Sequence, residues 1–298
     1  MKIKEYLRCN LCNRKCGVNR YEGVGFCRMP ADVYVTRASL HKWEEPPISG
    51  TQGSGTIFLS GCSLRCVFCQ NREISRGQVG ELVTIDKLVE IMIDLERQGA
   101  HNINFVTPTH YAPTISEAVR KAKAQGSRVP IVYNTGSFDT VETIQSLDGI
   151  VNIYLPDLKY YRNSTSRQYS EAENYVESAR EAISEMYRQV GNPAFDENGI
   201  LVAGVVVRIL LLPGHVAEAK LSLKYLVDTY GDGIYVSLMN QYTPMPNMPP
   251  PLDRRVTHSE YEDLLSYAEK IGLKNGFYQD YGTAEESFIP LFDGTGIK

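Results

Sequence analysis

A parallel α/β fold is what this sequence predicts, and three observations carry that expectation. Short apolar runs alternate with helix-patterned stretches roughly six times after Gly53, the pattern that builds βαβ units. The first run, GTIFLS, is bounded by glycine and reads as a buried strand. The chain has 298 residues, 43% hydrophobic and 22% charged, enough for one large domain and a small appendage. Crossovers between parallel strands are right-handed. An open doubly wound sheet and a barrel both satisfy the pattern.

The chain begins with a cysteine-rich stretch, CNLCNRKCGVNRYEGVGFC. Cys9, Cys12, Cys16 and Cys27 stand at C-x2-C-x3-C-x10-C, with Gly17, Gly23 and Gly25 allowing tight turns between them. Four thiolates satisfy a closed site, either tetrahedral zinc or a second iron–sulfur cluster, and soft thiolates accept both. Arg8, Arg14, Lys15 and Arg20 can offset the thiolate charge or stand in solvent.

Residues 31–52 form a connector. Alternation in VYVTRASL predicts a short strand. His41, Trp43, Glu44 and Glu45 then precede Pro46 and Pro47. A polar rim packed by the only tryptophan is the expected role; an active-site flap with His41 as proton shuttle is the alternative.

GTIFLS runs directly into a cysteine loop. Thr84 to Gln98 is a helix: Ile85, Leu88, Val89, Met92 and Leu95 fall on one face behind Thr84 as N-cap. NINFVTP is a strand and Ser116 to Gln125 a helix. VPIVYN, IVNIYLP, VVVRILLLP and GIYVSLM read as strands. Helices follow at DTVETIQSL, between Ser166 and Gln189, from Ala217 to Tyr230 and from His258 to Ile271.

The seven cysteines all lie before residue 70. An odd count with C-x2-C spacing points to metal rather than disulfides. If both groups hold metal, no cysteine remains as a hydrogen donor or nucleophile. The second group lies in GCSLRCVFCQN, where Cys62, Cys66 and Cys69 stand at C-x3-C-x2-C with Phe68 before the last. Three thiolates on one loop can each hold a corner iron of a four-iron cube and leave the fourth iron open. An open position lets a metal site act on a bound molecule. A zinc knuckle is the alternative, although zinc prefers four ligands in C-x2-C pairs. The competing function is then a zinc-stabilised binding or scaffold protein.

The spacing C-x3-C-x-aromatic-C resembles the signature of the radical S-adenosylmethionine (SAM) enzymes. The resemblance implies a [4Fe-4S] cluster whose open iron binds the amino and carboxylate groups of SAM. It implies reductive cleavage of SAM to methionine and a 5′-deoxyadenosyl radical that abstracts hydrogen. The stretches GSGTIFLSGCSLRCVFCQN and LMNQY are similar to the pyruvate formate-lyase activating enzyme-like group, here with an added N-terminal four-cysteine module. The fold implied is a partial (β/α)6 TIM-type barrel over residues 51–298, with residues 1–50 as metal-binding module and connector. The activity implied is an oxidoreductase fed by an electron donor such as flavodoxin or ferredoxin. Its substrate is a glycyl-radical-type protein, another protein, a small molecule or an RNA.

In barrels of this type, chemistry sits at the C-terminal strand ends. Thr107-Pro108-Thr109 stands where the wider family has a Gly-Gly-Glu segment facing the SAM amino group. Threonine hydroxyls and backbone carbonyls can still accept from an ammonium. His110 beside them is a proton donor, a ligand-orienting group or a rim histidine. Asn134-Thr135-Gly136 is similar to a turn that faces SAM in the activating enzymes. Asp157 and Lys159 flank Leu158, so both can point inward; buried charges need each other or a ligand. The family resemblance places this D-x-K close to SAM. Arg208 interrupts an apolar strand and needs a partner, either the SAM carboxylate or Asp157. Asn240, Gln241 and Tyr242 are polar groups at the last strand end. The Pro- and Met-rich loop after them either covers the substrate opening or is a rigid connector. The resulting cofactor-binding candidates are Thr107, Thr109, Asn134, Thr135, Asp157, Lys159, Arg208 and Gln241, with no residue singled out as catalytic.

A net charge of −4 argues against a broad nucleic-acid surface. The most apolar run, residues 199–214, is broken by Arg208 and falls short of the roughly 18 apolar residues a membrane span needs. No signal peptide is visible in MKIKEYLRCN, and the expectation is a soluble cytoplasmic protein.

Overall fold

The fold is described from a computed structural model covering residues 2–77, 79–280 and 290–297. In chain order, β1 (Val33–His41) and the short helix α1 (Pro46–Ser49) precede β2 (Ser54–Leu59). Then come α2 (Arg72–Ser75), β3 (Glu81–Val83), α3 (Ile85–Arg97), β4 (Ile103–Val106), α4 (Ala112–Ala124), β5 (Ile131–Thr135), α5 (Val141–Gln145) and β6 (Ile153–Pro156). The chain continues through α6 (Asn163–Ser170), α7 (Tyr175–Val190), β7 (Ala194–Phe195), β8 (Leu201–Leu210), α8 (Val216–Tyr230), β9 (Tyr235–Met239), α9 (His258–Lys270) and β10 (Gly276–Tyr278).

Strand order decides between the two architectures. β2, β4, β5, β6, β8, β9 and β10 are neighbours in that sequence, all parallel. A doubly wound sheet reverses direction at a switch point. This sheet never reverses, so right-handed crossovers leave the helices that connect its parallel strands on the same face. The other face curls around an interior, as in a barrel. β1 extends the β2 edge antiparallel, and β3 adds to β1. Among the described residues no strand pair joins β10 to β1 or β3, so the barrel is partial.

The helix expected between Ser166 and Gln189 is two helices. Glu171 (φ 51°) and Asn174 (φ 53°) adopt the left-handed conformation and break it. The break frees carbonyls of the last α6 turn for the cysteine loop, since Val67 N–H donates to Tyr169 O at 2.8 Å. Helix α4 starts earlier than Ser116 because a 3-10 turn at Thr109–Tyr111 feeds straight into it, with Pro113 in its first turn. Thr84 caps α3 as expected, accepting from Lys87 N–H at 3.1 Å. Strand β10 was not expected; three residues are too few to show a period. The strand in the connector, β1, lies in the main sheet, pairing with β2 from Val35 to His41.

Candidate functional site

The cysteine loop leaves β2 under tight constraint. His110 Nε2 donates to Ser60 O at 2.7 Å, and Gly61 N–H donates to Ile74 O at 2.9 Å. Gly61 has φ +83°, and a Cβ there would meet Met29 Cγ at 2.2 Å and Cys27 O at 2.9 Å. Only glycine lets the two cysteine segments pack this closely. Cys62, Cys66 and Cys69 all line one cavity of about 450 Å³. Burial pushes the Cys62 thiol well above its usual range, and the neighbouring Cys66 and Cys69 sulfurs push it further.

Three sulfurs beside an open cavity form the donor set that a four-iron cube with one open corner requires. No group of three or more His, Cys, Asp or Glu side chains among the described residues is arranged around a single ion. A cube asks for something different, since each thiolate takes its own iron. The loop therefore fits the cluster.

Most of the strand-end residues singled out from the sequence line the same cavity: Thr107, Asn134, Thr135, Asp157, Lys159, Arg208 and Gln241. Thr107 has φ +59°, costly for a β-branched residue by about 1–3 kcal/mol. Its N–H donates to Asn134 O at 2.9 Å, which ties the ends of β4 and β5 together. Thr109 is buried behind the wall, its hydroxyl 3.2 Å from Thr135 Oγ1. Thr135 Oγ1 also donates to Asp139 Oδ2 at 2.6 Å and accepts from Ser137 N–H at 3.2 Å. A hydroxyl has one donor and two acceptor positions, so that of Thr135 is fully used within the protein. Gly136 is pressed between cavity and loop; a Cβ would meet Leu64 Cδ1 at 2.9 Å.

Lys159 Nζ donates to Asp157 Oδ2 at 2.7 Å, with about a fifth of each side chain exposed. Burial opposes the Lys159 charge, but Asp157 and the Cys66 sulfur more than offset it and raise its pKa. Tyr175 Oη spans both strand ends. It lies 3.0 Å from Gly136 O and 2.9 Å from Asp157 O, and accepts from Lys159 N–H at 3.1 Å.

The side-chain partners of Arg208 within the protein are Glu44 and Glu45, where the sequence pointed to Asp157. Its Nε donates to Glu45 Oε1 at 2.8 Å and its Nη2 to Glu45 Oε2 at 2.5 Å, with Glu44 Oε2 bonded to the same Nη2. Burial opposes the Arg208 charge; Glu45 and Glu44 outweigh it and raise its pKa. Glu44 Oε1 also accepts from Asn104 Nδ2 at 2.8 Å. The connector after β1 turns inward here and supplies inner wall. Trp43 is 63% exposed and so does not pack this stretch as a rim, and His41, Trp43, Glu44 and Glu45 line the same cavity as the three cysteines. The pattern had no way to reveal this contact between residues 163 positions apart.

His110 is fully buried and cannot reach the cavity as a proton donor. Burial and the nearby Arg20 pull its pKa from 6.5 down to about 3. The unfolded chain therefore binds the proton first as pH falls. Stability is complete above pH 6.5 and erodes toward pH 3, by about 2–3 kcal/mol at pH 4.5. His110→Gln, which keeps a donor for Ser60 O, is expected to lack that share of the acid loss. Urea midpoints from pH 7.5 to 4.5 for both proteins check it; parallel curves would contradict it.

At the sixth strand end, Gln241 Oε1 accepts from Gln279 Nε2 at 2.9 Å, and Asn240 N–H donates to Gln279 Oε1 at 2.9 Å. Gln279 thus orders this edge, a role no sequence signal marked. Tyr242 is buried, and its hydroxyl donates to Leu252 O at 2.6 Å, so it braces the following loop instead of facing the opening.

The N-terminal cysteines lie against the barrel. Cys9, Cys12 and Cys27 are buried and Cys16 is exposed. Asn13 N–H donates to Phe138 O at 3.0 Å and Thr140 N–H to Leu11 O at 3.3 Å, pairing the Cys12 segment with the β5–α5 loop. Arg14 Nε donates to Ser63 O at 2.9 Å and its guanidinium lies 3.7 Å from the Phe26 ring centroid. Arg20 is 1% exposed, bonds the carbonyls of Met29, Pro30 and His110, and stacks 4.4 Å over Tyr6. Neither is a solvated charge. Lys15 and Arg8 are exposed.

The model of the Radical SAM superfamily matches residues 56–224. An uncharacterised protein of Methanocaldococcus jannaschii is 29% identical over 280 residues, covering 90% of this chain and 76% of the relative. Among solved structures, the FeFe-hydrogenase maturase HydG from Carboxydothermus hydrogenoformans is similar at TM-score 0.52 and 14% identity, covering 75% of this chain and 52% of that one. A tagged anSMEcpe with bound AdoMet is similar at TM-score 0.50 and 11% identity, covering 71% of this chain and 55% of that one. The chain thus spans little more than half the length of these solved chains, and at such identity the likeness is one of fold.

Proposed function

The chain belongs to the radical SAM superfamily, and from that premise we propose that it cleaves SAM reductively and abstracts hydrogen from a substrate held in the cavity. The observation that carries this reading is the convergence of Cys62, Cys66, Cys69 and the polar ends of β4, β5 and β6 on one cavity. Cys62, Cys66 and Cys69 would hold a [4Fe-4S] cluster, which with SAM bound would supply one-electron reductive cleavage and hydrogen-abstraction chemistry.

The chain's own residues match that cofactor. Asp157 suits the ammonium and Lys159 the carboxylate of a zwitterionic amino acid. Thr107, Asn134 and Gln241 offer hydroxyl and amide groups for the rest of SAM. Thr109 would hold the wall from behind and Thr135, whose hydroxyl is used within the protein, would shape its face, while Arg208 keeps Nη1 clear of Glu44 and Glu45. Leu59, Leu64, Phe68 and Met239 line the same cavity and exclude water from it.

The reading extends to an activating-enzyme-like oxidoreductase working in the cytoplasm, where thiol ligands stay reduced. Flavodoxin or ferredoxin would supply electrons, and a protein is one candidate substrate. Cys9, Cys12, Cys16 and Cys27, which are not gathered around a single ion, would hold zinc or a second iron–sulfur cluster only with a rearrangement of their segment. Anaerobic metal analysis separates these: about four irons plus zinc per chain, or about eight irons. Reconstituted protein reduced with dithionite is expected to release 5′-deoxyadenosine from SAM. Protein carrying its full iron that releases none would contradict the proposal.

A further inference from the structure

We infer that Ser170, backed by Tyr160, is a positioning residue that raises the reduction potential of the cluster through a hydrogen bond to Cys66 Sγ. The inference rests on the reading that Cys62, Cys66 and Cys69 carry that cluster. Ser170 Oγ lies 2.9 Å from Cys66 Sγ, and Tyr160 Oη lies 2.5 Å from Ser170 Oγ. All three are buried, at 0% exposure for Ser170, 1% for Tyr160 and 8% for Cys66.

An iron-bound thiolate carries no proton, so the serine hydroxyl must donate to sulfur. Its single proton is then committed, and it accepts from Tyr160. The chain of donors has one polarity, Tyr160 to Ser170 to Cys66, and each bond polarises the next.

The fold holds this arrangement in place. Helix α6 stops at Ser170 because Glu171 takes a left-handed conformation. The Ser170 carbonyl accepts from Arg14 Nη2 at 3.0 Å and from Arg65 N–H at 3.4 Å. The Tyr160 ring packs edge-on against Phe68 at 6.4 Å and Tyr175 at 5.3 Å, so its hydroxyl cannot swing away. None of this ordering depends on the serine hydroxyl itself.

The reduced cluster carries one more negative charge than the oxidised one. A donor aimed at sulfur stabilises the reduced form more, and hydrogen bonds to the sulfurs are among the determinants of such potentials. Removing the donor therefore moves the potential down.

The test is a potentiometric titration, without SAM, of the anaerobically reconstituted full-length protein and its variants at equal iron content. The SAM-sensitive cluster is followed by electron paramagnetic resonance. Ser170→Ala is expected to shift its midpoint to more negative potential, and Ser170→Thr to restore it. Tyr160→Phe, which leaves Ser170 in place, is expected to shift it the same way by less. It carries the test if Ser170→Ala takes up no iron. Midpoints unchanged in Ser170→Ala, or in Tyr160→Phe where the alanine variant stays empty, would overturn the inference. A parent chain that takes up no four-iron cluster would overturn the underlying reading and the relay with it.

Discussion

Cys66→Ala is expected to release no 5′-deoxyadenosine under conditions where the parent chain turns over. The substitution leaves two thiolates where the cube needs three, and it leaves the Ser170 hydroxyl aimed at nothing. The polypeptide should persist. Cys66 sits on a loop whose course is fixed by Val67, Gly61 and Leu64, and an unpaired buried donor costs only about 1–3 kcal/mol. Loss of product with a retained circular dichroism spectrum is the expected pair of results. The contrast is Cys12→Ala. Its neighbours Leu11 and Asn13 tie the N-terminal segment to the β5–α5 loop, so the expected effect is a lower urea midpoint with residual turnover. Untouched stability with no turnover in Cys12→Ala would instead make the N-terminal site redox-active.

The second large effect is in the wall of the cavity. Arg208→Leu leaves Glu44 and Glu45, whose side chains are 8% and 5% exposed, without a counter-ion. Breaking a buried ion pair by removing one partner costs about 3–5 kcal/mol. The pH dependence follows with a definite sign. Burial pushes the Glu45 carboxyl up, but Arg208 brings it below its usual value of 4.5. Its stabilising share is therefore present above that value and is lost as pH falls through the folded one. Without Arg208, burial alone would favour the protonated Glu45 carboxyl, so the deficit is largest near neutrality and narrows in acid. Adding Glu44→Gln and Glu45→Gln to Arg208→Leu should recover most of the loss. Equal urea midpoints for Arg208→Leu and the parent at pH 7 would contradict the assignment.

Local features were legible in the sequence. The C-x3-C-x2-C loop, the cap at Thr84 and the order of strands and helices follow from spacing and period, which act over a few residues. The choice of barrel over doubly wound sheet rested on resemblance, because strand order is a long-range property that no single segment encodes. The same limit hid the partners of Arg208. Glu44 and Glu45 read as rim residues, yet a chain reversal through β1 and β2 carries them to β8. It also hid Tyr175, Ser170 and Gln279, which reach the site from α7, α6 and the residue after β10. Each is an ordinary polar residue until the fold brings it to a strand end. Thr107 is a different case. Its left-handed backbone is unfavourable for threonine, so local propensity pointed away from the conformation the site uses.

The most direct measurement is electron paramagnetic resonance of the reduced, anaerobically reconstituted chain with and without SAM. The account predicts a cluster signal that changes when SAM is added and is lost in Cys66→Ala. A chain with about four irons whose spectrum ignores SAM, or one that binds zinc alone, would contradict it.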